Sequence, residues 1–357
     1  MEKNWSIQTP WNNSLIIPSK RENQARDMLW ASEIGRDYYE VYLSMNGIEP
    51  TNKFSDTIRR KFEAGNFYEA IVIWTCQKVG ILKNTQGQVR LFPEDKTLLP
   101  IYGRYDILAG HNGDWQKTKK EMEDYFNKLI ELEFDFPFFD RVKKIAFETI
   151  NYLSEKYPQG LTDKIYEVKS LNSLAFWRGG EPISTPYEHH IFQQTFYQLY
   201  NKDNTDIGSF LYIDRDTMSL SELPNLVKPE VVEKMKEWHK QISYYYLNKV
   251  EPKPPELIIF SEKEQKYQVN WQFERSAYKD RILGDKKLED ITEEVKQKNQ
   301  IIKEQNLMKS AKNGESRFGT KKYKKAIELI QAGLSLEEIE AKTGVALHAL
   351  HYYQEQL

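Results

Sequence analysis

Ile165-Tyr166-Glu167-Val168-Lys169 is the stretch that decides the reading of this chain. Apolar and charged residues alternate there, as they do on a strand with one wet face. On a strand, residues i and i+2 face the same side. Glu167 and Lys169 therefore point into one place, and Val168 points into the core. Taken alone, a Glu-x-Lys on a strand is commonly a solvent-facing ion pair. Its neighbours give it meaning.

Working outward, Leu98 to Gly110 reads as a strand and turn and carries Gly103-Arg104-Tyr105-Asp106. Asp106 is either a turn residue after Gly103 or a site carboxylate. Residues 54–80 read as a helix carrying Glu69, with Gly65 marking a break or close packing. Residues 188–201 read as an amphipathic helix with Gln193-Gln194-Thr195-Phe196-Tyr197. Ser209 to Asp214 is a further strand, residues 228–248 a further helix. Ser32-Glu33-Ile34-Gly35 opens a helix running to about Gly47, after an irregular lead-in over residues 1–26.

These residue types suit one chemistry. Hydrolysis of a phosphodiester calls for a hard cation that polarises the phosphate and helps make hydroxide from water. Mg²⁺ takes oxygen ligands, usually one or two carboxylates with water and phosphate. Asp106 and Glu167 are the candidate carboxylates, with the Val168 carbonyl as a further ligand. Lys169 is placed to hold the attacking water or to stabilise charge on the phosphate.

The ordered set, Gly-Arg-Tyr-Asp, then Ile-Tyr-Glu-Val-Lys-Ser, then Gln-x-x-x-Tyr, resembles the RecB-like branch of the PD-(D/E)XK nucleases, near the phage recombination exonucleases. The resemblance spans about residues 27–216. It implies an α/β, restriction-endonuclease-like core: a mixed central sheet flanked by helices. It also implies metal ligation by Asp106 and Glu167 and a catalytic role for Lys169. Gln193 and Tyr197 match a pair beside the active site and the DNA. Glu69 stands where many RecB-like members carry His, and suits a metal or its bound water. The interval from Asp106 to Glu167 is longer than usual, so residues 111–160 are expected to be a helical insertion. Asp163 is nearer Glu167 but lacks the Gly-x-x-Asp setting. The expected activity is that of a DNA exonuclease in phage-type recombination, repair or DNA degradation, dependent on Mg²⁺ or Mn²⁺. A non-catalytic DNA-binding protein with a degenerate core is the rival.

Beyond that region, three prolines in Glu251-Pro-Lys-Pro-Pro255 end the first domain, expected over residues 1–250. Residues 251–316 read as an extended, charged helical linker, and residues 317–357 as a small all-α module. Ser335 with Glu338 forms a capping box, Gly344 is a turn glycine, and a last helix begins near Leu347. This resembles a helix-turn-helix, whose last helix enters the major groove in DNA-binding relatives. Here that helix offers His348, His351, Tyr352 and Gln354. Lys321, Lys322, Lys324 and Lys325, with Arg317, are candidate phosphate contacts, as is Arg104 in the first domain; a protein-interaction module is the alternative. Arg59-Arg60-Lys61 reads as a solvated helix face.

Composition narrows the classes less. Net charge over the 357 residues is −2, so DNA contact requires local basic patches. The lone Cys76 excludes an intramolecular disulfide and a cysteine-ligated iron–sulfur cluster; its setting, Ala70 to Cys76, reads as a buried helix face. No apolar run approaches the ~20 residues of a membrane span, and Met1-Glu2-Lys3-Asn4-Trp5 lacks a signal-peptide pattern. A reducing cytoplasm is expected, that of a bacterial host if the chain is phage-encoded. A homo-oligomer or a recombination partner protein stays open. His189-His190 read as surface or supporting histidines, or as phosphate contacts. Asp214-Arg215-Asp216 reads as a solvated turn.

Overall fold

A computed structural model describes residues 24–52, 56–132, 138–203, 205–312 and 320–354. The chain divides into two compact units, Met1–Lys253 and Pro254–Leu357.

The first unit is built on a six-stranded mixed sheet. Its strands are β1 (Leu29–Trp30), β2 (Leu82–Leu91), β3 (Ile101–His111), β4 (Leu161–Leu171), β7 (Gly208–Asp214) and β8 (Leu220–Asn225); β5 (Trp177–Arg178) and β6 (Glu181–Pro182) form a separate small ribbon. Strands β2, β3 and β4 are a three-stranded antiparallel meander, and β7 lies parallel to β4. A parallel neighbour needs a crossover. It is supplied by α6 (Glu188–Tyr200), after α1 (Tyr38–Met45), α2 (Asp56–Lys78), α3 (Trp115–Glu131), α4 (Phe139–Lys156) and the short α5 (Ser173–Phe176); α7 (Pro229–Leu247) follows β8. The molecule is thus α/β, with helices flanking a mixed sheet.

The pairing of β3 decides where a site can form. β2 runs along one of its edges from Leu91↔Ile101 to Leu82↔Ala109. A strand has two edges, so β1 and β4 share the other. β1 takes Ile101 and Tyr102, and β4 takes Ile107 to His111. Between these two partners, residues 103–106 face a gap.

The core explains the rest of the packing. Leu29, Ile101, Leu108, Ile165, Phe196 and Trp238 belong to one buried cluster. On α6, every residue from Phe192 to Gln198 is buried. Full burial of a side chain such as Phe196 contributes about 1.5–3 kcal/mol, so this helix is pinned against the sheet. α3 and α4 occupy the interval between β3 and β4.

Several elements differ from the sequence expectation. Residues 101–111 form one continuous strand, so Asp106 is mid-strand and not a turn residue. The Ser32 segment is a single 3₁₀ turn over Ala31–Glu33; α1 starts later, capped by Asp37, which accepts from the amides of Tyr39 and Glu40. Its acidic residue Glu33 is buried against Arg26 instead. α2 is unbroken at Gly65, which passes Ser170 Oγ at ordinary contact distance. Among the described residues no helix is long and apolar enough to cross a membrane. Most of the lead-in, residues 1–23, lies outside the described residues.

In the second unit, the stretch expected to be an extended linker is folded. It holds a hairpin of β9 (Ile258–Ser261) and β10 (Lys266–Val269), the short α8 (Trp271–Glu274) and α9 (Lys279–Leu283), and the long α10 (Leu288–Lys312). Asn299 of α10 clasps Tyr267, accepting from its amide at 2.7 Å and donating to its carbonyl at 2.8 Å. The small helices α11 (Thr320–Gln331), α12 (Leu336–Thr343) and α13 (Leu347–Gln354) close round Tyr323, Ala326, Ile339, Ala349 and Leu350. The Ser335–Glu338 capping box is formed, and Gly344 is left-handed at φ 66°. α10 packs against α11 and α13, and its buried Glu304 meets His348 of α13 there.

Candidate active site

The gap beside β3 opens into a pocket of about 680 Å³. Its lining brings together residues from six separate stretches: Ser32, then Glu69 of α2, Gln86 of β2, Arg104 and Asp106 of β3, Glu167 and Lys169 of β4, and Gln193 and Tyr197 of α6. All six side chains singled out from the sequence as catalytic lie here.

Strand register places them. Ile107 pairs with Tyr166, so Asp106 comes opposite Glu167 where the β3–β4 ladder stops. Asp106 Oδ2 accepts the Val168 amide at 2.7 Å and so bridges the two strands as they part. Amide and carbonyl of one strand residue face the same edge, so the Val168 carbonyl also faces the gap. The Val168 side chain is half-buried rather than in the core, whereas Glu167, on the opposite face with Ile165, is 1% exposed. Lys169 Nζ lies 2.5 Å from Glu167 Oε1. Asp163, by contrast, sits away from the pocket in an ion pair with Lys83.

The electrostatics are those of crowded carboxylates. Burial first, then the Glu167 charge and more weakly that of Glu69, push Asp106 well above the usual range; Lys169 opposes them. Burial also raises Glu167, against the pull of Lys169. Lys169 is raised because Glu167 and Asp106 outweigh the cost of burying its charge. One atom stands out: Glu167 Oε2 is buried and has no hydrogen-bond partner among the described residues. A buried acceptor left so is costly. These carboxylates, an orphaned oxygen and a backbone carbonyl are the donor set of a hard divalent cation. Among the described residues no three His, Cys, Asp or Glu side chains already close round one point; Lys169 is what satisfies Glu167 Oε1 here.

Gln193 and Tyr197 form the wall of the pocket. Gln193 Nε2 donates to Tyr197 Oη at 2.9 Å, and the two residues are 7% and 2% exposed. Both line the pocket from the buried face of α6 rather than from an exposed surface. Arg104 is exposed at the rim, as a phosphate contact requires.

Other expectations resolve differently. His189 and His190 are half-buried supports, not surface groups. His190 Nδ1 lies 2.9 Å from Tyr212 Oη. Burial, then nearby cations including Lys169 and Arg36, lower His189 to about 4 and His190 to about 2. Asp214 is fully buried, not part of a solvated turn. Burial alone would raise its carboxyl, but hydrogen bonds from Thr217, the Asp216 amide, Ser173 and Trp177 hold it at about 2. Cys76 is half-buried, and burial pushes its thiol up to about 11.

In the second unit, Lys322 is exposed and reaches the Gly344 carbonyl at 3.3 Å, capping the end of α12. Lys324 and Lys325 are exposed. Arg317 and the side chains of Lys321 and Tyr352 lie outside the described residues. His348, at the start of the expected groove-reading helix, lies 3.0 Å from Glu304 of α10. Leu347, Ala349 and Leu350 pack inward.

Sequence reasoning missed one pocket residue of consequence, Gln86 of β2. Nothing in its polar surroundings announces a strand.

No family model, curated protein or solved structure matches the chain.

Proposed function

We propose that the Met1–Lys253 unit is a divalent-metal-dependent nuclease with a restriction-endonuclease-like core of the PD-(D/E)XK type, hydrolysing DNA phosphodiester bonds. The observation that carries this reading is the meeting of Asp106, Glu167 and Lys169 where β3 and β4 part. The strand order gives further support: an antiparallel meander, a covering helix and a parallel strand, with the acidic residues at the mouth of the fork.

Glu69, Asp106, Glu167 and the Val168 carbonyl would hold Mg²⁺ or Mn²⁺. When bound, such an ion polarises the phosphate and acidifies its water. The chain's own groups do the rest. Lys169 supplies an ammonium that can hydrogen-bond the attacking water or a phosphate oxygen, stabilising charge as it develops. Arg104 at the rim neutralises a flanking phosphate and fixes strand position without reading sequence. Gln193 and Tyr197, locked to each other, keep the pocket wall rigid so that the carboxylates stay in place. An exonuclease acting in recombination, repair or DNA degradation is the role that fits best.

The test is incubation of linear and circular duplex DNA with Mg²⁺, Mn²⁺ or a chelator. Loss of linear DNA with metal alone, abolished in Asp106→Ala, Glu167→Ala and Lys169→Ala, is expected. DNA binding without degradation in every condition would overturn it in favour of a non-catalytic binder.

A further inference from the structure

Gln86 belongs to the edge strand β2, yet it reaches the carboxylate cluster. Thr85 pairs with Ile107 and Gly87 with Tyr105, which puts Gln86 opposite Asp106. Asp106 is in turn opposite Glu167. The three residues stand in one row across three strands. Gln86 is kinked, at φ 52°, a left-handed conformation that L side chains rarely adopt. From there its Nε2 donates to Glu69 Oε1 on α2.

The kink is held by its neighbours. A Cβ on Gly87 would come within 2.5 Å of Tyr105 Cε1, so only glycine lets β2 lie there. Tyr105 is fixed at its tip: its hydroxyl accepts from Asn84 Nδ2 at 3.0 Å and donates to Asp203 Oδ2 at 2.7 Å. The same Gly-Arg-Tyr-Asp run that supplies Asp106 thus props the strand that aims Gln86. Local strain of this kind persists only where surrounding structure imposes it, and it gathers at functional sites. The chemistry of the donor matters too. An amide orients a carboxylate without cancelling its charge, whereas a lysine or arginine there would compete with a cation.

We propose that Gln86 is a positioning residue for the metal centre: its amide presets the Glu69 carboxylate beside Asp106 and Glu167, so that Glu69 serves as a divalent-cation ligand. This rests on the metal-dependent reading above. Partners that orient ligands typically cost about 10–100-fold in metal affinity when removed.

The experiment measures Mn²⁺ binding to the full chain by electron paramagnetic resonance, without DNA, alongside thermal unfolding. Gln86→Gly relieves the strained φ, so its melting temperature is expected to equal or exceed that of the wild type. Its Mn²⁺ affinity is nevertheless expected to fall about tenfold. Gln86→Met keeps bulk and removes the donor, and is expected to lose the same affinity should the glycine variant fold poorly. Adding either change to Glu69→Gln is expected to cost nothing more. Wild-type affinity in both Gln86 variants, or losses that add to that of Glu69→Gln, would overturn the proposal. A wild-type chain that binds no Mn²⁺ would remove the metal centre itself. Binding that is lost in Asp106→Asn but kept in the Gln86 variants would remove this inference alone.

Discussion

The carboxylate of Asp106 takes the place of a backbone partner for Val168: Oδ2 accepts the Val168 amide at 2.7 Å just where β3 and β4 cease to pair. One side chain therefore closes the ladder and faces the pocket. Asp106→Asn keeps an acceptor and removes a crowded, buried charge. It is expected to melt at or above the wild-type temperature while DNA cleavage falls by at least about a hundredfold, since a ligand should cost more than the partners behind it. Asp106→Ala loses the bridge as well, and a further ~1–3 kcal/mol of stability. Equal stability of the two variants would show that the bridge contributes nothing.

Gly103 and Tyr197 are coupled by close packing. A methyl at Gly103 would lie 2.7 Å from Tyr197 Cε1 and 2.6 Å from Ala31 Cβ. Gly103→Ala is expected to cost about 1–3 kcal/mol in chemical denaturation, the usual penalty of overpacking. It is also expected to lower cleavage by shifting the pocket wall. Gly103→Ala in a Tyr197→Ala background should recover part of that cost.

The two depressed histidines predict an acid limb. His189 titrates near 4 and His190 near 2 in the fold, against an ordinary value of about 6.5 in the unfolded chain. Below about pH 6.5 the unfolded state binds protons that the folded state refuses, so stability is full above that pH and declines as pH falls towards 4 and beyond. Replacing both by Asn should flatten the slope of unfolding free energy against pH between about 6.5 and 4. An unchanged slope would mean that neither is buried as described.

Cation binding should be visible as stability. Mn²⁺ at a hundred times its dissociation constant would add roughly 2.7 kcal/mol. The rise in melting temperature should disappear with chelator and in Glu167→Gln, whose Oε2 is the orphaned acceptor.

In the second unit, Lys324 and Lys325 are exposed candidates for phosphate contact. If that surface binds DNA, losing both lysines should reduce the slope of log affinity against log salt by about 2. Glu304→Ala frees His348 and should tighten binding only if α13 itself enters a groove. No change in either variant would favour the protein-interaction alternative.

How much of this was legible depended on where each residue lies. β4 showed itself because Tyr166 and Val168 alternate with Glu167 and Lys169, giving a period of two; that the charged face is the buried one, with Ile165, was not legible from it. The Ser335–Glu338 box is a local signal and needs no tertiary context. β2 was missed because it is a mostly polar edge strand: after Leu82 its apolar residues, Val89 and Leu91, come only at its end, too short a run to show a period. Gln86 acquires its position from a kink propped by Tyr105, a contact between strands that no window of sequence contains. The folded character of residues 254–312 was hidden for a similar reason: Asn299 and Glu304 look like solvated helix residues until Tyr267 and His348 are placed beside them.

Strands β3 and β4 have opposite fates at their two ends. At one end they separate around Asp106 and Glu167; at the other, His111 meets Leu161 and α3 and α4 intervene. Five residues of strand, about 17 Å at the usual rise, lie between Asp106 and that far end. The helical excursion is thus rooted at the end remote from the fork, where Trp115 and Ile150 pack with Val79, so its exposed faces could carry a fluorophore without reaching the fork.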